Sequence, residues 1–206
     1  MKAPAYWAQA TEELASRDPV IASIAADSVG LTLRSRGDAF AALARSIVGQ
    51  QISVKAADSV WQKFAAALPA VNPASVAAQP VEALRACGLS ASKVVYLQDL
   101  AVHFEKGTLN PAQWPDLSDD ELIEELTKVR GIGRWTAEMF LIFYMMRPDV
   151  LPLADLGVQK AMRLHYNHGQ PLGERKLAAL NKLWQPWRSV ATWYLWRSLD
   201  PIPVEY

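Results

Sequence analysis

From Asp38 onward the apolar residues of this chain recur at helical spacing, and no strand-like alternation lasts more than a few residues. That pattern points to an all-α fold, and local punctuation divides it into helices. Asp38 can cap a helix reaching Gly49, with Phe40, Leu43, Ile47 and Val48 as its apolar stripe. Ser53 opens a second, carrying Val54, Ala57, Val60, Trp61 and Phe64 and ending before Pro69. Val81 to Cys87 forms a short helix stopped by Gly88, and Ser90 or Ser92 begins a longer one stopped by Gly107. Ser118-Asp119-Asp120-Glu121 is a capping box for the next. Helices over Gly133 to Met146, roughly Leu156 to Tyr166, Gly173 to Trp184, and Pro186 to Leu199 complete the series. Neither an internal repeat nor a long linker interrupts it, so residues 1–206 read as one unit, with two lobes.

Composition excludes several function classes. At 51% hydrophobic and 20% charged, the chain is globular. Its longest apolar runs, such as Met139 to Met146, are too short to span a bilayer, and Met1-Lys2-Ala3-Pro4 lacks the apolar stretch of a secretory signal. A cytoplasmic protein with no membrane partner is expected. A single cysteine, Cys87, rules out a disulfide framework, a Cys-based zinc site and a four-thiolate iron–sulfur cluster. His103, His165 and His168 offer no HExxH spacing, and the nucleotide-cradling motifs GxxxxGK[ST] and GxGxxG are absent. The net charge is zero but unevenly spread. From Lys128 to Arg197 there are eleven basic and four acidic residues, leaving this stretch at +7 and the remainder at −7. A basic portion in a neutral protein permits a polyanionic partner, although ordinary solvated surface accounts for it equally well.

The most informative stretch is Leu126 to Ala137, where one helix runs into Gly131-Ile132-Gly133 and another starts at once. Glycine permits positive φ and leaves backbone N–H groups uncovered at a helix start. Such amides, with the helix dipole behind them, suit an anion, and a nucleic-acid phosphate is one candidate. Lys128, Arg130 and Arg134 surround the turn. The plain alternative is an αα-corner with no ligand. Asp155 follows as the only acid in the run Leu151 to Val158. It is placed to be the N-cap of the helix from Leu156, where the dipole favours negative charge. The same carboxylate could stabilise a cationic transition state. Eight tryptophans, four of them at Trp184, Trp187, Trp193 and Trp196, suit either core packing or an aromatic slot.

In combination these features resemble the helix-hairpin-helix DNA glycosylases of base excision repair, in the branch of DNA-3-methyladenine glycosylase II. The likeness runs from about Asp38 to Leu199. It rests on Ile47-Val48-Gly49-Gln50-Gln51-Ile52-Ser53, Gly88 with Lys93, the hairpin Val129 to Ala137, Leu153-Ala154-Asp155, and Pro186-Trp187-Arg188-Ser189. The resemblance implies two helical lobes, roughly 38–150 including the hairpin at 126–137, and 1–37 with 151–206. The active site would lie in the cleft between them. It implies Asp155 as the catalytic aspartate, with a base pocket of Trp135, Met139 and Trp196, and less directly Trp193 and Tyr144. DNA would be held by Gly131, Gly133, Arg134, Trp135, Thr136 and Lys128. Gln50 and Gln51 would sit on the loop that plugs the gap left by an extruded nucleotide. The backbone carbonyls of Thr127, Val129 and Ile132 would form a structural Na+ or K+ site, with no cofactor required.

One departure from the wider superfamily bears on the chemistry. Where bifunctional members carry a nucleophilic lysine two residues after the second hairpin glycine, this chain has Trp135, so no Schiff base can form there. The expected activity is therefore excision of alkylated bases of the 3-methyladenine or 7-methylguanine type from double-stranded DNA. A monomer, cytoplasmic and associated with the bacterial nucleoid, would flip the base out and hydrolyse its glycosidic bond. A methylated base is cationic, is attracted to indole faces, and leaves without protonation by the enzyme. Two alternatives stay open: a non-catalytic hairpin module that binds damaged or bent DNA, and a glycosylase for deaminated or oxidised bases.

Overall fold

The computed structural model describes residues 3–35 and 37–200. Among these the secondary structure is helical throughout, with twelve α-helices and one 3-10 turn at Trp114–Asp116. No described helix is long and apolar enough to cross a membrane. The chain forms two compact units, described residues 37–140 in one and 3–35 with 141–200 in the other. The second junction thus falls ten residues before the one expected after residue 150. It lies inside a continuous helix, where the backbone gives no sign of it.

The unit of residues 37–140 holds α3 (Ala39–Gly49), α4 (Val54–Ala66), α5 (Pro73–Ala77), α6 (Val81–Ala86), α7 (Ala91–Glu105), α8 (Asp119–Leu126) and most of α9 (Arg134–Phe143). The expected caps are in place. Asp38, Ser53 and Ser90 each accept a backbone N–H of the first turn, and Ser118 and Glu121 close the capping box in both directions. Ser90, rather than Ser92, opens α7. Trp114 is fully buried, edge-on to Phe104 and Phe140 at 6.1 and 5.4 Å, and its indole N–H donates to Glu125 at 2.8 Å. This aromatic cluster ties α7, α8 and α9 together, and α8 and α9 carry the hairpin between them.

The other unit is built on α12 (Arg188–Leu199), against which α1 (Trp7–Arg17), α2 (Pro19–Asp27), α10 (Leu156–Tyr166) and α11 (Glu174–Trp184) all pack. Every residue of α12 from Ser189 to Leu195 is buried, so it has no solvent stripe; a helix enclosed by others needs none. Asp18 ties three of the surrounding helices. It is only 2% exposed, caps α2 through Val20 N and Ile21 N, and accepts the Tyr166 hydroxyl at 2.7 Å and the Trp184 indole N–H at 2.8 Å. Burial, reinforced by that bond to Asp18, pushes the Tyr166 hydroxyl pKa up. Four donors on one buried carboxylate satisfy the rule that interior charge must be hydrogen-bonded.

Helix α9 stops at Phe143, three residues short of the expected Met146. Met146 adopts left-handed backbone (φ 54°), and the Arg147 N–H folds back onto the Leu141 carbonyl at 2.9 Å. The loop that follows is fastened to the start of α12. Arg188 grips both oxygens of Asp149, at 2.7 and 3.0 Å, and the Ser189 hydroxyl accepts Val150 N–H at 2.9 Å. The Pro186-Trp187-Arg188-Ser189 motif therefore holds the segment that delivers Asp155.

Candidate active site and hairpin

In the unit of residues 37–140, α8 runs into the turn 127–133 and α9 leaves it at Arg134. Val129 and Ile132 are buried and anchor the turn, while Lys128, Arg130, Gly131, Gly133, Arg134 and Trp135 are exposed. Helix α7 supports the apex from beneath. The Arg130 N–H donates to Asp99 at 2.9 Å, and the Tyr96 ring lies directly against Gly131. The two glycines do different work. Gly131 has φ +82°, and a methyl group there would lie 2.2 Å from Tyr96 Cδ2. Gly133 is outside the left-handed region, and a methyl group would meet nothing within 4 Å. Accordingly Gly131→Ala should lower the melting temperature measurably, since left-handed backbone alone costs a non-glycine residue about 1–3 kcal/mol. Gly133→Ala should leave it nearly unchanged in the same calorimetric measurement.

The two glutamines also separate. The Gln50 side-chain amide donates to the Gly131 carbonyl at 2.8 Å, joining the loop after α3 to the hairpin. Gln51 is exposed and held in left-handed backbone at φ 57°. Lys93 steadies the same loop by donating from Nζ to the Val48 carbonyl at 2.8 Å, and burial lowers its pKa.

Several residues expected at the site occupy other surroundings. Arg134 is paired with Asp120 at 3.2 Å and with buried Glu138 at 3.1 Å, so its charge is already compensated. Thr136, in the first turn of α9, is buried, so its hydroxyl is not presented to solvent. Met139 is 4% exposed and Trp193 7%. Trp193 meets Trp7 edge-on at 5.1 Å and lies under the Arg197 guanidinium, which makes it a core residue. Trp193 and Trp196, three residues apart on α12, lie about 60° apart around the axis, enough to give them different neighbours. Tyr144 is half-buried, and its carbonyl accepts the Ser35 hydroxyl at 3.3 Å. The carbonyls of Thr127, Val129 and Ile132 bracket the turn. That of Val129 accepts Ile132 N–H at 3.1 Å and retains a second lone pair. Neutral backbone oxygens of this kind suit a hard monovalent ion. No cluster of His, Cys, Asp or Glu that could hold a metal occurs among the described residues.

In the unit of residues 3–35 and 141–200, Asp155 caps α10, accepting Val158 N–H on Oδ1 at 2.7 Å. The Trp196 indole N–H donates to the same oxygen at 2.9 Å. Trp196 stacks on Phe143 with centroids 5.5 Å apart and planes 17° from parallel. Asp155 is half-buried, flanked by exposed Leu153 and Leu156. Sequence reasoning named Asp155 and Trp196 separately, but it missed Phe143, Asp99 and Tyr96. Only the position of Asp99, on the helix that opens with Ser90, could have hinted at its role.

Comparison with known proteins follows from this geometry. A family model described as HhH-GPD superfamily base excision DNA repair protein matches residues 44–188. The chain is 36% identical over 164 residues to DNA-3-methyladenine glycosylase 1 of Schizosaccharomyces pombe, covering 76% of this chain and 70% of that protein. Its fold is similar to the crystal structure of a DNA-3-methyladenine glycosidase from Bacillus halodurans, with TM-score 0.85, 30% identity, and 97% and 93% of the two chains covered. It is also similar to the Schizosaccharomyces pombe 3-methyladenine DNA glycosylase Mag1 in complex with abasic DNA. There the TM-score is 0.79 and identity 29%, with 96% and 98% covered.

Proposed function

The chain belongs to the HhH-GPD superfamily of base excision DNA repair proteins, and from that premise we propose that it is a monofunctional DNA glycosylase for alkylated bases. It flips a base of the 3-methyladenine or 7-methylguanine type out of duplex DNA and hydrolyses its N-glycosidic bond, leaving an abasic site for later repair. The observation that carries this reading is the Asp155–Trp196 pair, a half-buried carboxylate at a helix N-terminus with an indole hydrogen-bonded to it. A ligand-free corner or a plain phosphate binder needs neither. The 3-methyladenine named for the relatives supports the same substrate class.

In this mechanism the alkylated base is already cationic, so breaking the bond to C1′ releases a neutral base and leaves positive charge on the sugar. Asp155 faces that charge, and water adds to C1′ and loses a proton. The turn amides around Gly131, Gly133 and Trp135 hold a phosphate and so fix the strand without reading its sequence. A Na+ or K+ ion on the carbonyls of Thr127, Val129 and Ile132 would add positive charge at that phosphate; hydrolysis itself uses the side chains. We place the protein in the cytoplasm at the nucleoid, acting as a monomer.

A duplex carrying one alkylated base tests the reading. The expected product is an intact strand with an abasic site, broken only by alkali or heat. Prompt nicking at neutral pH, with a borohydride-trapped covalent adduct, would instead reveal a nucleophilic lysine.

A further inference from the structure

We infer that Trp196 is a positioning residue that sets the plane of the Asp155 carboxylate. The inference rests on the glycosylase reading above. A carboxylate torsion is broad, and a single hydrogen bond leaves the group free to swing about it. Here two donors from different elements converge on Oδ1, Val158 N–H along α10 and the Trp196 indole N–H from α12. Because the indole N–H lies in the ring plane, the direction of the second bond is fixed by whatever fixes the ring. Phe143 does that by stacking on one face at 17°.

Gly157 shows how closely the pair is fitted. A methyl group at this position would lie 3.1 Å from Asp155 Oδ1, 3.1 Å from Trp196 Cδ1 and 3.3 Å from its Nε1. Glycine is therefore what allows carboxylate and indole to meet above the first turn of α10. The arrangement is preorganisation: the charge that must face the developing cation is aimed before substrate arrives, so no reorientation is needed during bond cleavage. Trp196 thus acts through its edge. A stacking surface for the extruded base would use a ring face, and one of its two faces is already on Phe143.

The test separates edge from face. Replacing Trp196 with benzothienylalanine keeps the bicyclic ring and removes the N–H, while Gly157→Ala presses the pair apart. Both should lower the single-turnover excision rate, by about 10–100-fold. Affinity for abasic-site DNA and the melting temperature should stay near wild type. Trp196→Phe should behave like the benzothienylalanine protein. A benzothienylalanine variant that excises as fast as an active wild type would overturn the positioning role and leave the glycosylase reading standing. So would parallel losses of rate, affinity and melting temperature, which would make Trp196 a packing residue. A wild-type protein that releases no alkylated base would overturn both.

Discussion

Asp155→Asn should lower base excision by a factor of about 10²–10³ or more, the cost of removing one aimed electrostatic group from a transition state. The substitution isolates charge from structure unusually well. Both hydrogen bonds to this side chain that hold it to α10 and α12 go to Oδ1. An asparagine carbonyl can accept the same two N–H groups, and asparagine is as good an N-cap as aspartate. The substitution also forfeits the favourable interaction of the carboxylate with the helix dipole, about 0.3–1 kcal/mol. Affinity for abasic-site DNA should persist, because in the proposed mechanism the grip on the backbone resides in the turn 127–133. Excision within tenfold of wild type would remove Asp155 from the mechanism.

The largest effect on stability should come from Asp18→Ala. The change leaves the Tyr166 hydroxyl, the Trp184 indole N–H and two N–H groups of α2 without their acceptor, two of these bonds buried and two part-buried. Loss of the cap contributes about 1 kcal/mol and each interior donor left unpaired about 1–3 kcal/mol, partly relieved by water entering. A net loss of about 3–5 kcal/mol follows, which for a chain of this size lowers the melting temperature by roughly 10–15 °C. Calorimetry reads it directly. Asp18→Asn should lose less, since its carbonyl can keep some of the bonds. An alanine variant that melts within a few degrees of wild type would show that the carboxylate is not what joins α2, α10 and α11.

Much of the helical framework was legible because its signals are local. The caps at Asp38, Ser53, Ser90, Ser118 and Asp155 each lie within four residues of the N–H they bind. Helix α1 went unread for the converse reason: Tyr6 precedes it without a side-chain cap. The Asp18-Pro19 start of α2 carried a clear signal that the reading, beginning at Asp38, did not use. What escaped was non-local. The pairing of Arg134 with Asp120 joins residues fourteen apart, although Glu138, four residues on, was a local signal left unused. The resemblance ranked Trp196 above Trp193, but the helical period alone could not show that Trp193 packs on Trp7 and that Trp196 donates to Asp155, 41 residues earlier. The junction between the two units lies within α9, where continuous hydrogen bonding conceals it. Asp155 was legible as an N-cap, since the N–H it accepts lies three residues on.

The central claim is that this protein releases alkylated bases by hydrolysis with Asp155 as the catalytic carboxylate. Its most direct test is to incubate methylated genomic DNA with the wild-type and Asp155→Asn proteins and identify the freed bases by mass spectrometry. The account predicts intact 3-methyladenine or 7-methylguanine from the wild type and almost none from the variant. DNA that is bound equally by both proteins, with no methylated base released above an enzyme-free control, would contradict it and leave a hairpin module that binds damage without repairing it.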